Sequence, residues 1–162
     1  MNGSVDMSVQ DALLLIPYSV YIVTTGGESK QTGAFTASWL MQVSFEPLLL
    51  AVGVDKTSHS QALLAENGVF AVNFLGGGQR QLAARLGTPY HIQPHKFTGV
   101  AWHAGLSGAP LLDEALAHVE CEVSDTLDPG GDHLIYIGKV IGGGVQRREP
   151  PLTLEQSGLR YR

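Results

Sequence analysis

The sequence predicts a mainly β fold, an antiparallel barrel with a few short helices filling its ends, on three observations. Six stretches of this 162-residue chain carry strand-like residue patterns bounded by turn residues. The helical stretches between them are short and few. Strand and helix do not alternate regularly, which argues against a doubly wound parallel sheet. The length fits one domain over residues 1–162, enough chain to bury most of its unfolded surface.

The elements follow in order. Ser8, Val9, Gln10 and Asp11 fit a capping box with Ser8 as N-cap, so a short apolar helix is expected over 12–16, ended by Pro17. Residues 18–25 alternate, with Tyr18, Val20, Ile22 and Thr24 on one face. Gly26, Gly27, Glu28, Ser29 and Lys30 then turn the chain into a hairpin partner that begins near Thr32. The second strand, 33–44, is apolar and aromatic except for the small and hydroxyl insert Thr36, Ala37 and Ser38. Glu46 and Pro47 separate it from a third strand, 48–54, because proline cannot donate to a sheet ladder.

That third strand is continuously apolar and empties into Asp55, Lys56, Thr57, Ser58, His59 and Ser60. Ser58 and Gln61 fit a second capping box, opening a helix that stops at Asn67 and Gly68. Residues 69–75 form a fourth strand, and three glycines, 76–78, lead to a helix over 79–86 closed by Gly87. Residues 88–110, interrupted by Pro89, Pro94 and Pro110, are expected to be a long irregular segment that covers something or serves function. Strands at 115–126 and 132–145 flank the turn signal Asp128, Pro129, Gly130 and Gly131. In the tail, Leu152, Leu154 and Leu159 are placed to pack back on the barrel.

Composition narrows the function. The chain is 44% hydrophobic and 15% charged, an apolar excess that a homo-oligomeric interface or a large barrel core explains equally well. Its net charge of −5 and lack of basic runs argue against nucleic acid. A single cysteine, Cys121, gives no sign of an oxidising compartment. Residues 1–10 lack the basic and apolar regions of a signal peptide, and no apolar run approaches a membrane span, so a soluble cytoplasmic protein is expected.

A buried strand delivering hydroxyls and backbone N–H groups to a helix N-terminus is a physical recipe for holding an anion such as a phosphate, although the same residues also make an ordinary helix cap. The glycines at 76–78 match neither the dinucleotide spacing nor a phosphate-binding loop. His91 and His95 are four apart, but Pro89 and Pro94 interrupt the helix that would align them, so no metal site is expected. Cys121 reads as a small buried side chain, and no serine-hydrolase elbow is present. His133, at the start of the last strand, has three readings: a group titrating near neutrality, a hydrogen-bond donor, or a solvated side chain.

Taken together, the chain resembles the flavin reductase-like family, the FMN-binding split barrels. The landmarks are residues 33–39 (GAFTASW), 42–47 (QVSFEP), 70–75 (FAVNFL), 117–122 (AHVECE), and Gly131, Asp132 and His133 leading to Gly138, Lys139 and Val140. The resemblance implies a six-stranded antiparallel split barrel in a homodimer, with FMN, or alternatively FAD, near the subunit interface. By position, Thr36, Ala37 and Ser38 would line the isoalloxazine edge, largely through backbone groups. Val54 and Asp55 would lie by the ribityl chain, Thr57, Ser58 and Ser60 by the phosphate, and Arg85 by the flavin's polar end. His133 would sit near nicotinamide and flavin. Trp39 stands where many relatives have a serine and Leu48 where many have a proline. Trp39 would stack over the ring or sit in the dimer core.

The expected activity is hydride transfer from NAD(P)H to FMN, with electrons passed to a monooxygenase or another acceptor; the cofactor carries the chemistry and the protein positions and tunes it. The alternatives are a tightly bound FMN protein reduced by a protein partner, and a non-enzymatic module holding flavin or haem.

Overall fold

The computed structural model describes residues 6–27 and 29–160. Of the expected features, Glu28 in the first turn and the last two residues of the tail lie outside this range. The described chain is mainly β. One antiparallel sheet carries seven strands: β1 (Tyr21–Gly27), β2 (Lys30–Ala37), β3 (Leu40–Phe45), β4 (Leu48–Asp55), β5 (Val69–Phe74), β8 (Ala117–Leu127) and β9 (His133–Val145). A separate two-stranded ribbon, β6 (Trp102–Ala104) with β7 (Pro110–Leu112), lies within the segment expected to be irregular.

The count of seven corrects the expected six, and the reason is local. The stretch 33–44 is not one strand: it breaks at Ser38 and Trp39 into β2 and β3. The sheet order is β2-β1-β5-β8-β9-β4-β3, so these two consecutive strands occupy opposite edges. Two residues span the gap between them, and an extended chain reaches only ~3.5 Å per residue. The sheet therefore curls until its edges approach, and Gly53 N–H of β4 donates to Trp39 O at 2.9 Å, extending the β3–β4 ladder one pair toward the bend.

Two apolar layers result. Inside the curl lie Val23, Val52, Val54, Phe70, Val72, Cys121 and Tyr136, with Leu64 of helix α2 (His59–Asn67) closing one end. On the outer side Val20, Ile22 and Ala34 pack with Ala83 and Leu86 of helix α3 (Arg80–Gly87) and with Leu112 and Leu152. β1 is thus covered on both faces, which is why its residues 22–26 are all buried. The tail returns as expected: Val20 N–H donates to Leu152 O at 2.8 Å, and Leu152 N–H to Leu75 O at 2.7 Å. A short helix α4 (Leu154–Ser157) follows.

Helix α1 (Met7–Leu13) starts one residue before Ser8, and its cap is Asp6, whose carboxylate accepts Ser8 N–H at 3.1 Å. The helix also stops before 16, since Pro17 disfavours a helical residue ahead of it. Pro47, in a cis peptide with Glu46, occupies the turn between β3 and β4. Asn73 explains the seating of β7: its amide donates to Ile22 O at 3.2 Å and accepts Leu112 N–H at 2.8 Å, so a buried polar side chain completes two backbone groups.

Candidate functional site

A cleft of about 880 Å³ opens at the seam of the sheet. One wall is β2, through Ala34, Phe35 and Thr36; the other is β4, through Gly53 and Asp55. The turn and N-terminus of α2 (Thr57 to Ser60), the neighbouring Asp132 and His133, and residues 87–91 with Lys96 complete the lining.

Each wall is positioned by identifiable bonds. Asp55 Oδ1 accepts Thr57 N–H at 2.8 Å and Thr57 Oγ1–H at 2.7 Å, tightening the turn that leaves β4. Ser58 is the N-cap of α2, its Oγ accepting Gln61 N–H at 3.1 Å while donating to Asp55 O at 3.0 Å. Ser60 is buried and donates to Ala34 O at 3.0 Å, tying the helix to β2. The hydroxyl protons of Thr57, Ser58 and Ser60 are thus committed within the protein. What the helix end offers an anion is the backbone N–H groups of His59 and Ser60, which have no intrahelical partner, and the positive end of its dipole.

β2 is an edge strand, so every second residue turns its backbone groups away from β1. Ala34 O faces outward, where it accepts both Ser60 Oγ–H and Lys96 Nζ–H. By the two-residue repeat Thr36 presents its N–H on the same open edge. The Thr36 side chain is committed elsewhere: Oγ1–H donates to Ala83 O at 2.6 Å, and a Cβ on neighbouring Gly87 would come within 2.8 Å of that oxygen. The cleft wall at β2 is therefore backbone and the small side chains of Ala34 and Thr36, with Phe35 between them.

Beside the turn that leaves β4, Asp55 pairs in register with His133 of β9. Lys56 staples this corner, its N–H donating to Asp132 O at 3.0 Å and its Nζ to Asp128 Oδ1 at 2.7 Å. That contact, together with Gly130 N–H, holds the Asp128 carboxyl below its usual range. His133 Nδ1 lies 2.6 Å from Asp132 Oδ1, and its ring is 4.7 Å from the Trp39 indole, tilted by 55°. Trp39 in turn lies across Gly53, where any Cβ would sit 3.3 Å from the indole. A glycine in mid-strand is what lets the indole lie there.

Of the residues singled out in the sequence, Thr36, Trp39, Asp55, Thr57, Ser58, Ser60 and His133 converge on this cleft. Ala37, Ser38 and Val54 are buried and do not line it; Val54 points into the inner apolar layer. Arg85 does not line it either. Its guanidinium donates to Thr98 O, and its Nε is buried without a partner. Cys121 is buried, and burial with the Glu120 charge beside it pushes its thiol up to about 12.

Several lining residues were missed. Lys96 is buried, and its ammonium donates to Ala34 O at 2.8 Å, Leu86 O at 2.9 Å and Thr88 O at 2.9 Å. Burial pushes its pKa down, yet three carbonyl dipoles meet its three N–H bonds. His59 stacks on Tyr90 at 4.0 Å between ring centroids. For Tyr90 and Lys96 the only sequence signal is the length of the segment carrying them, and His91 stands out in the sequence only by its spacing to His95.

The fold and the cleft define a β-sheet protein with a seam site suited to a flat, anionic ligand. Comparison with known proteins places it further: the family described as Flavin reductase like domain matches residues 13–161, and the chain belongs to that family. It is 36% identical over 152 residues to Flavin reductase (NADH) of Kitasatospora aureofaciens, covering 93% of this chain and 76% of that protein. It is 32% identical over 155 residues to FMN reductase (NADH) RutF of Pseudomonas syringae pv. syringae (strain B728a), covering 96% and 84%. Among solved structures, the NADH:FAD oxidoreductase SgcE6 of Streptomyces globisporus C-1027, in complex with NAD and FAD fragments, superposes with a TM-score of 0.82 at 30% identity, over 98% of this chain and 93% of that one. BorF, the flavin reductase component of a bacterial two-component tryptophan halogenase, gives 0.81 at 30% identity, over 93% of each chain.

Proposed function

We propose that this protein is an NAD(P)H-dependent flavin oxidoreductase that holds FMN in the seam cleft and passes electrons to an acceptor such as a monooxygenase. The observation that carries the reading is the convergence, across one cleft, of an open β2 edge, the N-terminus of α2, and a histidine fixed by a carboxylate and an indole. The residues present fit a flavin. A volume of about 880 Å³ lies within the ~300–1,000 Å³ range of cofactor pockets. The carboxylate nearest the helix end, Asp55, accepts two hydrogen bonds from Thr57.

The bound flavin would supply the hydride acceptor, with reduction by nicotinamide as its chemistry. The protein's part is positioning. The N–H groups at the start of α2 take the phosphate, with the helix dipole adding to them. The open edge at Thr36 offers a backbone donor to the ring's polar rim, and the small wall lets a flat ring approach. His133, held by Asp132 at Nδ1, keeps Nε2 directed for contact with the nicotinamide. Trp39 limits the rotation of that imidazole and covers the site from the seam side.

Two coarser features support finer readings. The curled seven-stranded sheet is consistent with a split barrel in which β2 and β3 form one bent strand. β3 exposes Met41, Val43 and Phe45, and the chain just after α1 exposes Leu14 and Leu15; a homodimer would cover such apolar surface. The nicotinamide pool is the reason to place the protein in the cytoplasm; no helix among the described residues is long and apolar enough to cross a membrane.

The deciding experiment is the visible spectrum of the protein with FMN under anaerobic conditions, before and after NADH or NADPH. Bleaching on the stopped-flow timescale is expected. A flavin spectrum that neither nucleotide bleaches would point to an electron-transfer flavoprotein, and no affinity for flavin would overturn the reading altogether.

A further inference from the structure

The segment that follows α3 leaves the protein surface and returns to it with both ends fastened by one side chain. Lys96 Nζ donates to Thr88 O at 2.9 Å, and its bonds to Leu86 O at 2.9 Å and Ala34 O at 2.8 Å fix that base to α3 and β2. Thr88 is held again by its own N–H, which donates to Arg85 O at 3.2 Å, and by Oγ1–H, which donates to Ala84 O at 3.0 Å. A compact surface loop whose ends lie together is an Ω-loop, a form that frequently carries function.

Between those ends the fastening stops. Within residues 89–95 the backbone bonds are local, Ile92 N–H and Gln93 N–H both donating to Pro89 O at 3.0 Å. Among the described residues, no hydrogen bond or ion pair ties 89–95 to any helix or strand, and the one directional contact outward is the Tyr90 ring stacked on His59, 4.0 Å between centroids and 24° apart. Ile92 at the tip is 66% exposed and Tyr90 38%. Pro89 and Pro94 fix φ near each end, so the segment turns about its base as a unit.

The stack also stands at a boundary. A second cavity of about 190 Å³ adjoins the cleft, and His59 and Tyr90 line both spaces. His59 is the first residue of α2, so the Tyr90 ring lies on the side chain of a residue whose N–H belongs to the anion-binding helix end. Separating the two rings joins the cavities and opens the cleft beside that helix end.

We infer that residues 89–95 are a gate on the cleft, hinged at Thr88 and Lys96 and latched by the Tyr90–His59 stack, which swings aside for the phosphate end of the flavin to enter and leave. This rests on the reading of the main cleft as a flavin site. Because the same latch closes the gate on free and loaded protein, it governs the rates of exchange and not the affinity.

The test is stopped-flow measurement of FMN association and dissociation on the full chain. Tyr90→Ala is expected to raise both rates by about tenfold, the population ratio that one aromatic pair sustains, and to leave their quotient, the dissociation constant, within about twofold of wild type. Tyr90→Phe keeps the ring and should keep both wild-type rates. Faster dissociation with unchanged association overturns the gate, by making the ring a contact of the flavin instead; two unchanged rates overturn it as well. A second measurement needs no flavin. In ligand-free protein, His59→Ala removes the other half of the latch and should speed chymotrypsin cleavage after Tyr90 by about tenfold, since cleavage follows the open population. An unchanged cleavage rate overturns the latch. Wild-type protein that does not bind FMN fails the flavin reading, a result distinct from the cleavage outcome, which judges the latch by itself.

Discussion

Lys96 shows how much one side chain can organise. Its three bonds tie β2, the C-terminal end of α3 and the following loop to a single atom. Lys96→Met leaves three carbonyls without that donor and is expected to cost about 3 kcal/mol of stability, read by urea denaturation. Cys121 makes a second residue-level prediction. With its thiol pushed up to about 12, native protein at pH 8 should resist iodoacetamide and react only on unfolding. The unfolded chain loses that proton first, near the ordinary value of 9.0, so the stabilising contribution is complete below pH 9 and is lost as pH rises toward 12. Cys121→Ala should therefore show a shallower fall in Tm above pH 9 than wild type. In the cleft, His133→Ala is expected to raise the Michaelis constant for nicotinamide more than it weakens FMN; the reverse pattern would remove His133 from the nicotinamide site.

Among the elements, α2 carries the clearest prediction. Ser58→Ala removes the N-cap and should cost about 1 kcal/mol. The Ser58/Ser60 double alanine variant should weaken FMN several-fold by loosening the helix end, because Ser60 anchors it to β2; full affinity in that variant would displace the phosphate from this position. This element was legible in the sequence because its signals are short-range: a cap, a glycine stop and a hydroxyl-rich entry lie within a dozen residues. Lys96 was not legible, since its partners are main-chain oxygens, one of them 62 residues away. The break at Ser38 and Trp39 was hidden for a different reason. The small and hydroxyl insert at Thr36, Ala37 and Ser38 marks the place but carries no turn residue, and only the edge positions of β2 and β3 reveal a bend. Asp6 took the cap of α1 from Ser8 because a carboxylate two residues earlier is an equally good acceptor.

For the whole molecule, the mainly β antiparallel class followed from strand count and turn spacing, while the second cavity and the His59 and Tyr90 stack depended on tertiary approach. The exposed apolar face of β3 gives a prediction at this scale: Phe45→Asp should shift the protein toward monomer in light scattering if that face is buried between subunits, and leave mass unchanged if it is not. The two-residue seam has a further, kinetic meaning. β2 and β3 are neighbours in the chain, yet between their edge positions β1, β5, β8, β9 and β4 are laid side by side. Contacts across the seam therefore depend on pairings that are distant in sequence, which form late in folding. The cleft exists only once those pairings are made, so a ligand held there stabilises the native state and leaves the folding transition state untouched. FMN should slow unfolding in proportion to its occupancy and leave the refolding rate where it was, a split that stopped-flow chevron plots with and without FMN would display.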